Sequence, residues 1–121
     1  MMSCRCHGKE GLELILCLAP PPGDHEVSID IGKGREVIIN STGIYVRAIV
    51  SDDYLPFIRT TSLAVSEITL KKFGLKYEDL LCKTVRGLLE ASNHGSETAA
   101  ALVKECNDMI TSILSNCGEG D

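Results

Sequence analysis

Hydrophobic and polar positions alternate along the first half of the chain. In "HEVSIDI", Val27, Ile29 and Ile31 fall on one face and Glu26, Ser28 and Asp30 on the other, the period-two pattern of a half-buried strand. "REVIIN" and "IYVRAIV" predict two more strands, set apart by "GKG" at 32–34 and "STG" at 41–43, both short enough for hairpin turns. Upstream, "GLELILCL" at 11–18 is apolar on both faces and predicts a strand well inside the sheet. The prolines of "PPPG" at 20–23 end it, because proline has no N–H for a ladder. At least the last three strands form an antiparallel meander.

Past residue 51 the period lengthens to three or four. Residues 53–74 predict a helix, with Asp52 or Asp53 as N-cap, Pro56 in the first turn, Lys71 and Lys72 in the last and Gly74 as a left-handed stop. Its broad apolar face holds Tyr54, Phe57, Ile58, Ala64, Val65 and Ile68, while Leu63 and Leu70 form a second ridge roughly opposite. A second helix follows over "YEDLLCKTVRGLLEASN", and its interior Gly87, which costs about 1 kcal/mol relative to Ala, marks a close helix crossing. A third runs over "SETAAALVKECNDMITSIL", with Ser96 as cap and a stripe from Ala99 to Leu114. The fold predicted is a single α+β domain over 11–117, an antiparallel sheet of about four strands packed on one face by three helices. Residues 1–10 read as a mobile arm and 118–121 as a frayed end.

Composition narrows the function classes. The net charge of −5 and an aromatic content of 4% without Trp oppose both phosphate-backbone attraction and base stacking, so direct nucleic-acid binding is not expected. No apolar run approaches the ~20 residues of a membrane span. "LELILCLAP" imitates a signal-peptide core, but Glu13 interrupts it and prolines follow where small residues should mark cleavage. On that reading the compartment is cytoplasmic or otherwise intracellular and reducing. Of the six cysteines, Cys82 and Cys106 then serve as small buried hydrophobes, and "NST" at 40–42 is a turn rather than a glycosylation site.

"CRCH" gathers three zinc-type donors, Cys4, Cys6 and His7, but a closed tetrahedral site needs a fourth. No cofactor is expected. His7, His25 and His94 lie far apart in sequence and form no visible dyad with a cysteine. Asp52 and Asp53, with Arg59 beyond them, offer a ligand or acid–base site at a strand end, although helix capping accounts for the acids. "GKGRE" joins two strands, whereas a P-loop joins a strand to a helix.

The order strand, turn, strand, "SDD" and then a helix opening around "IRTTS" resembles the small dimerising subunit of the KEOPS tRNA-modification complex, a family that also contains the LAGE and CTAG antigens. The likeness spans residues 35–74 and rests on Ser51, Asp52 or Asp53, Arg59 and Thr60 or Thr61. It implies a non-catalytic dimer that bridges the subunits of a complex. The residues point the same way: an interaction or assembly subunit rather than an enzyme, whose partner is itself or another protein. The surface expected for that partner is apolar, with Leu63 and Leu70 on one element and Leu14 and Leu16 on another.

Overall fold

The computed structural model describes residues 3–23, 25–51, 58–64 and 67–118, with side chains described outside 48–51, 58–64 and 67–69. In chain order the elements are α1 (Gly11–Leu18), β1 (Val27–Gly32), β2 (Arg35–Asn40), β3 (Gly43–Ser51), β4 (Ile58–Ala64), α2 (Glu67–Lys72), α3 (Tyr77–Asn93), α4 (Glu97–Glu105) and α5 (Asn107–Ser115). The strands form one antiparallel sheet in the order β1-β2-β3-β4. The fold is therefore α+β, with a four-stranded sheet among the described residues, but three of the predicted elements differ from the sequence reading.

The first difference is "GLELILCL", a helix rather than a strand. Its all-round apolarity has a physical cause: α1 is wedged between two hydrophobic clusters. Leu14, Cys17 and Leu18 face one built from α3, α4 and α5, around Val85, Leu88, Leu102 and Ile110. Leu12, Ile15, Leu16 and Ala19 face the other, built from the sheet residues Val27, Val37, Ile39 and Ile44 together with Leu70 and Leu80. A helix that packs against two clusters is apolar on two faces, and Glu13 marks the side left exposed. Ile15 and Leu18 are fully buried, worth about 1.5–3 kcal/mol each by transfer.

The second difference lies at 53–74. Instead of one long helix, Ile58–Ala64 form β4, paired with β3 from Ser51↔Ile58 to Tyr45↔Ala64. The β-branched Ile58, Thr60 and Thr61 suit a strand, and the edge of β3 supplies a partner that local periodicity does not reveal. Among the described residues of this stretch, Glu67–Lys72 are the helical ones. Asp52 and Asp53, read as its cap, lie outside the described residues.

The hairpins follow the predicted turn grammar. Lys33 and Gly34 both have positive φ, 58° and 71°, which is the two-residue turn whose twist matches its strands. Between β2 and β3 the Asn40 side-chain oxygen accepts from Thr42 N–H at 2.8 Å, so "NST" is an Asx turn. The Asn40 amide nitrogen is buried and donates to Glu26 at 3.0 Å.

The alternation set by register sends Val27, Val37, Ile39, Ile44 and Val46 to the helices. The opposite face of β1–β3 carries Ile38, which is buried, beside a group of charged side chains. Glu36 stands opposite Arg47, with Arg47 Nε 3.1 Å from Glu36 Oε1 and Nη2 3.4 Å from Glu26 Oε1. The first of these contacts is charge proximity without hydrogen-bond alignment, since Arg47 Nε has no aligned acceptor.

Helix α3 matches its predicted bounds. Gly87 admits a strand rather than a second helix: a Cβ there would lie 2.6 Å from Val27 Cγ2. The predicted third helix divides at Cys106 into α4 and α5, and the i→i+4 bonding of Ile110 N–H to Cys106 O carries across the break. Its cap is as read, with Ser96 Oγ accepting from Ala99 N–H at 3.1 Å.

The cysteines depart furthest from expectation. All six are paired, as Cys4–Cys106, Cys6–Cys17 and Cys82–Cys117. Cys82 and Cys106 are thus crosslinks rather than buried thiols. Two of the bonds anchor the N-terminal arm, and Cys6 is fully buried in the helical cluster. Arg5 adds a clamp, its backbone N–H and Nε both donating to Glu105 Oε2 at 2.8 Å and its Nη2 to Oε1 at 3.2 Å. The arm from residue 3 onward is a folded part of the domain.

Candidate functional site

Helix α2 ends by a left-handed stop that also builds a cleft. Gly74 has φ +77°; its N–H bonds Lys71 O at 3.0 Å, and Leu75 N–H bonds Leu70 O at 3.2 Å. This pair of bonds brings the residue after the glycine against the one five before it, here Leu75 against Leu70. Leu12 of α1 and Tyr77 and Leu80 of α3 complete the walls of a largely apolar cavity of about 310 Å³, and Lys71, Lys76 and Glu78 stand at its rim. Leu70 and Leu80 are its buried floor. Partial burial raises the Tyr77 phenol above its ordinary value, a backbone hydrogen bond with Gly11 opposes this, and Glu78 and Glu10 add to it. Tyr77 therefore presents an uncharged hydroxyl at the edge of an apolar surface.

A second concavity, about 410 Å³, lies where β1 meets α3, between His25 to Ser28 on one wall and Lys83, Arg86, Gly87 and Glu90 on the other. At its end the imidazoles of His25 and His94 stack, centroids 4.8 Å apart and planes inclined by 29°.

The residues singled out from sequence do not converge. Leu70 lies at the base of the first cleft, whereas Leu14 and Leu16 are half-buried against the two different clusters. Leu63 sits in β4 opposite Val46 and Arg59 opposite Val50; neither side chain is among those described. Arg59 is in β4 rather than at the opening of a helix, and the helix that follows is Glu67–Lys72. Asp52 and Asp53 lie outside the described residues. The "CRCH" donors are separated by chemistry, with Cys4 and Cys6 in different disulfides and His7 exposed in a turn.

Leu12, Leu75 and the His25–His94 pair were not singled out. The Leu70–Leu75 contact was legible in principle, because a glycine stop after two lysines predicts it. Comparison with protein-family models, curated proteins and solved structures finds no match for the chain. Among the described residues no helix is long and apolar enough to cross a membrane.

Proposed function

We propose that this chain is a non-enzymatic protein-interaction module that works in an oxidising compartment and holds an apolar side chain of a partner protein in the Leu12–Leu75–Tyr77 cleft. The observation that carries the reading is the cleft itself. It is apolar, its floor is set by the stop of α2, and an aromatic residue and two lysines frame it. Buried apolar anchors beside tyrosine are where interface energy concentrates. Lys71 and Lys76, on a chain of net charge −5, favour a partner segment with acidic residues beside its apolar anchor.

The compartment is argued from the cysteines. Three pairs at bonding distance suit secreted or otherwise oxidising surroundings, where such bonds persist; this replaces the reducing interior expected from the sequence. The KEOPS resemblance implies the same non-catalytic class by a different surface.

The test is selection of displayed peptides on the oxidised protein. Sequences enriched on the wild type should share an aliphatic or aromatic residue flanked by Asp or Glu, and should lose binding to Leu75→Asp and weaken with the Lys71→Glu/Lys76→Glu pair. Equal enrichment on wild type and Leu75→Asp, with both folded, refutes the assignment.

A further inference from the structure

We propose that His25, Glu90 and His94 bind a divalent transition-metal cation of the zinc class, and that the ion clasps the sheet to the helical layer. One donor atom from each lies within 4.8 Å of the others. The donors come from two parts of the fold. His25 precedes β1, Glu90 is in the last turn of α3, and His94 is the C-cap residue of that helix. The spacing of Glu90 and His94 places them one above the other on α3. The stop that follows, with Gly95 at φ +95° and Ser96 N–H bonded to Ala91 O at 3.0 Å, fixes where the chain turns away behind them.

The imidazole of His94 is set up for this role. Its Nδ1 lies 2.8 Å from the Glu90 carbonyl oxygen. A carbonyl accepts only, so Nδ1 carries the hydrogen and the lone pair is left on Nε2. A backbone carbonyl holding the second ring nitrogen in this way is the usual support for a metal-bound histidine. Two imidazoles and one carboxylate match zinc, cobalt or nickel, whereas calcium and magnesium take oxygen ligands. Metal–nitrogen bonds of about 2.0–2.1 Å require donors roughly 3.3 Å apart in a tetrahedron. His94 and Glu90 are exposed and His25 half-buried, so side-chain rotation can close that distance. Three protein donors leave a fourth position for water.

Placement gives the ion a structural purpose. The disulfides join the arm, α1, α3, the α4–α5 junction and the C-terminal Cys117, and none includes a residue of the sheet. The groove beside the site carries the cations Lys83 and Arg86, and Arg86 directs Nη2 to the Gly118 carbonyl at 3.4 Å. Among the described residues no hydrogen bond, ion pair or disulfide joins β1 to α3 where they cross at Gly87; an ion bound through His25 and the end of α3 ties that crossing together.

The test is calorimetric titration of the oxidised, EDTA-treated full chain with Zn²⁺, repeated with Co²⁺ for its visible spectrum. One ion per chain is expected, together with a rise in Tm on adding Zn²⁺. His25→Ala, His94→Ala and Glu90→Gln should each weaken binding by about tenfold or more, the lower bound set by losses seen for supporting residues alone. His25→Gln and His94→Gln, which keep side-chain bulk and polarity, should lose the ion equally, and His7→Ala should bind as wild type does. Absence of saturable Zn²⁺ uptake at about 1 mM, or equal uptake by the wild type and the His25→Ala/His94→Ala chain, overturns the proposal.

Discussion

Val27 Cγ2 occupies the space that a Cβ on Gly87 would need, 2.6 Å from its ideal position. Strand β1 and helix α3 approach as closely as they do because that position has no side chain. Val27 is buried and β-branched, so it has no free rotamer into which to retreat. Gly87→Ala gains about 1 kcal/mol of helix propensity but incurs an overpacking cost of about 1–3 kcal/mol. Net destabilisation is expected in denaturant melts. In a Val27→Ala background the same change should become neutral or stabilising, and additivity of the two would show that the residues do not meet.

The disulfides should rank by the loop each closes. Sequence separations are 102 for Cys4–Cys106, 35 for Cys82–Cys117 and 11 for Cys6–Cys17. In the chain-entropy estimate these contribute about 4.7, 3.8 and 2.8 kcal/mol. Paired replacement by Ala should therefore lower the unfolding midpoint most for Cys4/Cys106 and least for Cys6/Cys17. Peptide mapping without reductant should recover these three pairs; recovery of free thiols from oxidised protein would remove the basis of the ranking.

Arg5 holds the Glu105 carboxyl below the usual carboxylate range, first through its side-chain hydrogen bonds and then through its backbone N–H; burial opposes this, and the charge of Arg5 adds a smaller lowering. A carboxyl whose folded value is depressed stabilises the fold above the ordinary carboxylate range and loses that contribution as pH falls through the lowered folded value. The Tm difference between wild type and Glu105→Gln should be open near neutral pH and close in acid. A gap that stays constant through the acid range would show that the clamp does not act by charge.

Ser96 joins two helices: its N–H completes the stop of α3 and its Oγ caps α4. Ser96→Ala removes only the second bond, so a loss of about 1 kcal/mol is expected. Ser96→Asp, which keeps an acceptor at the cap, should restore stability in the same melts.

Elements whose signals are local were legible in the chain. The alternation of β1, β2 and β3, the bounds of α3, the Ser96 cap and the Gly74 stop each depend on residues within a few positions of one another, where backbone sterics and capping geometry act. The residues that make "GLELILCL" helical are the two clusters on either side of it, and those belong to other elements. Strand β4 depends on the edge of β3. The cysteine pairs and the meeting of His25 with His94 depend on how β1 lies across α3 and where the arm returns. Such contacts form between surfaces created only when the layers pack, so the order of residues sets which groups are available and the tertiary structure decides which of them meet.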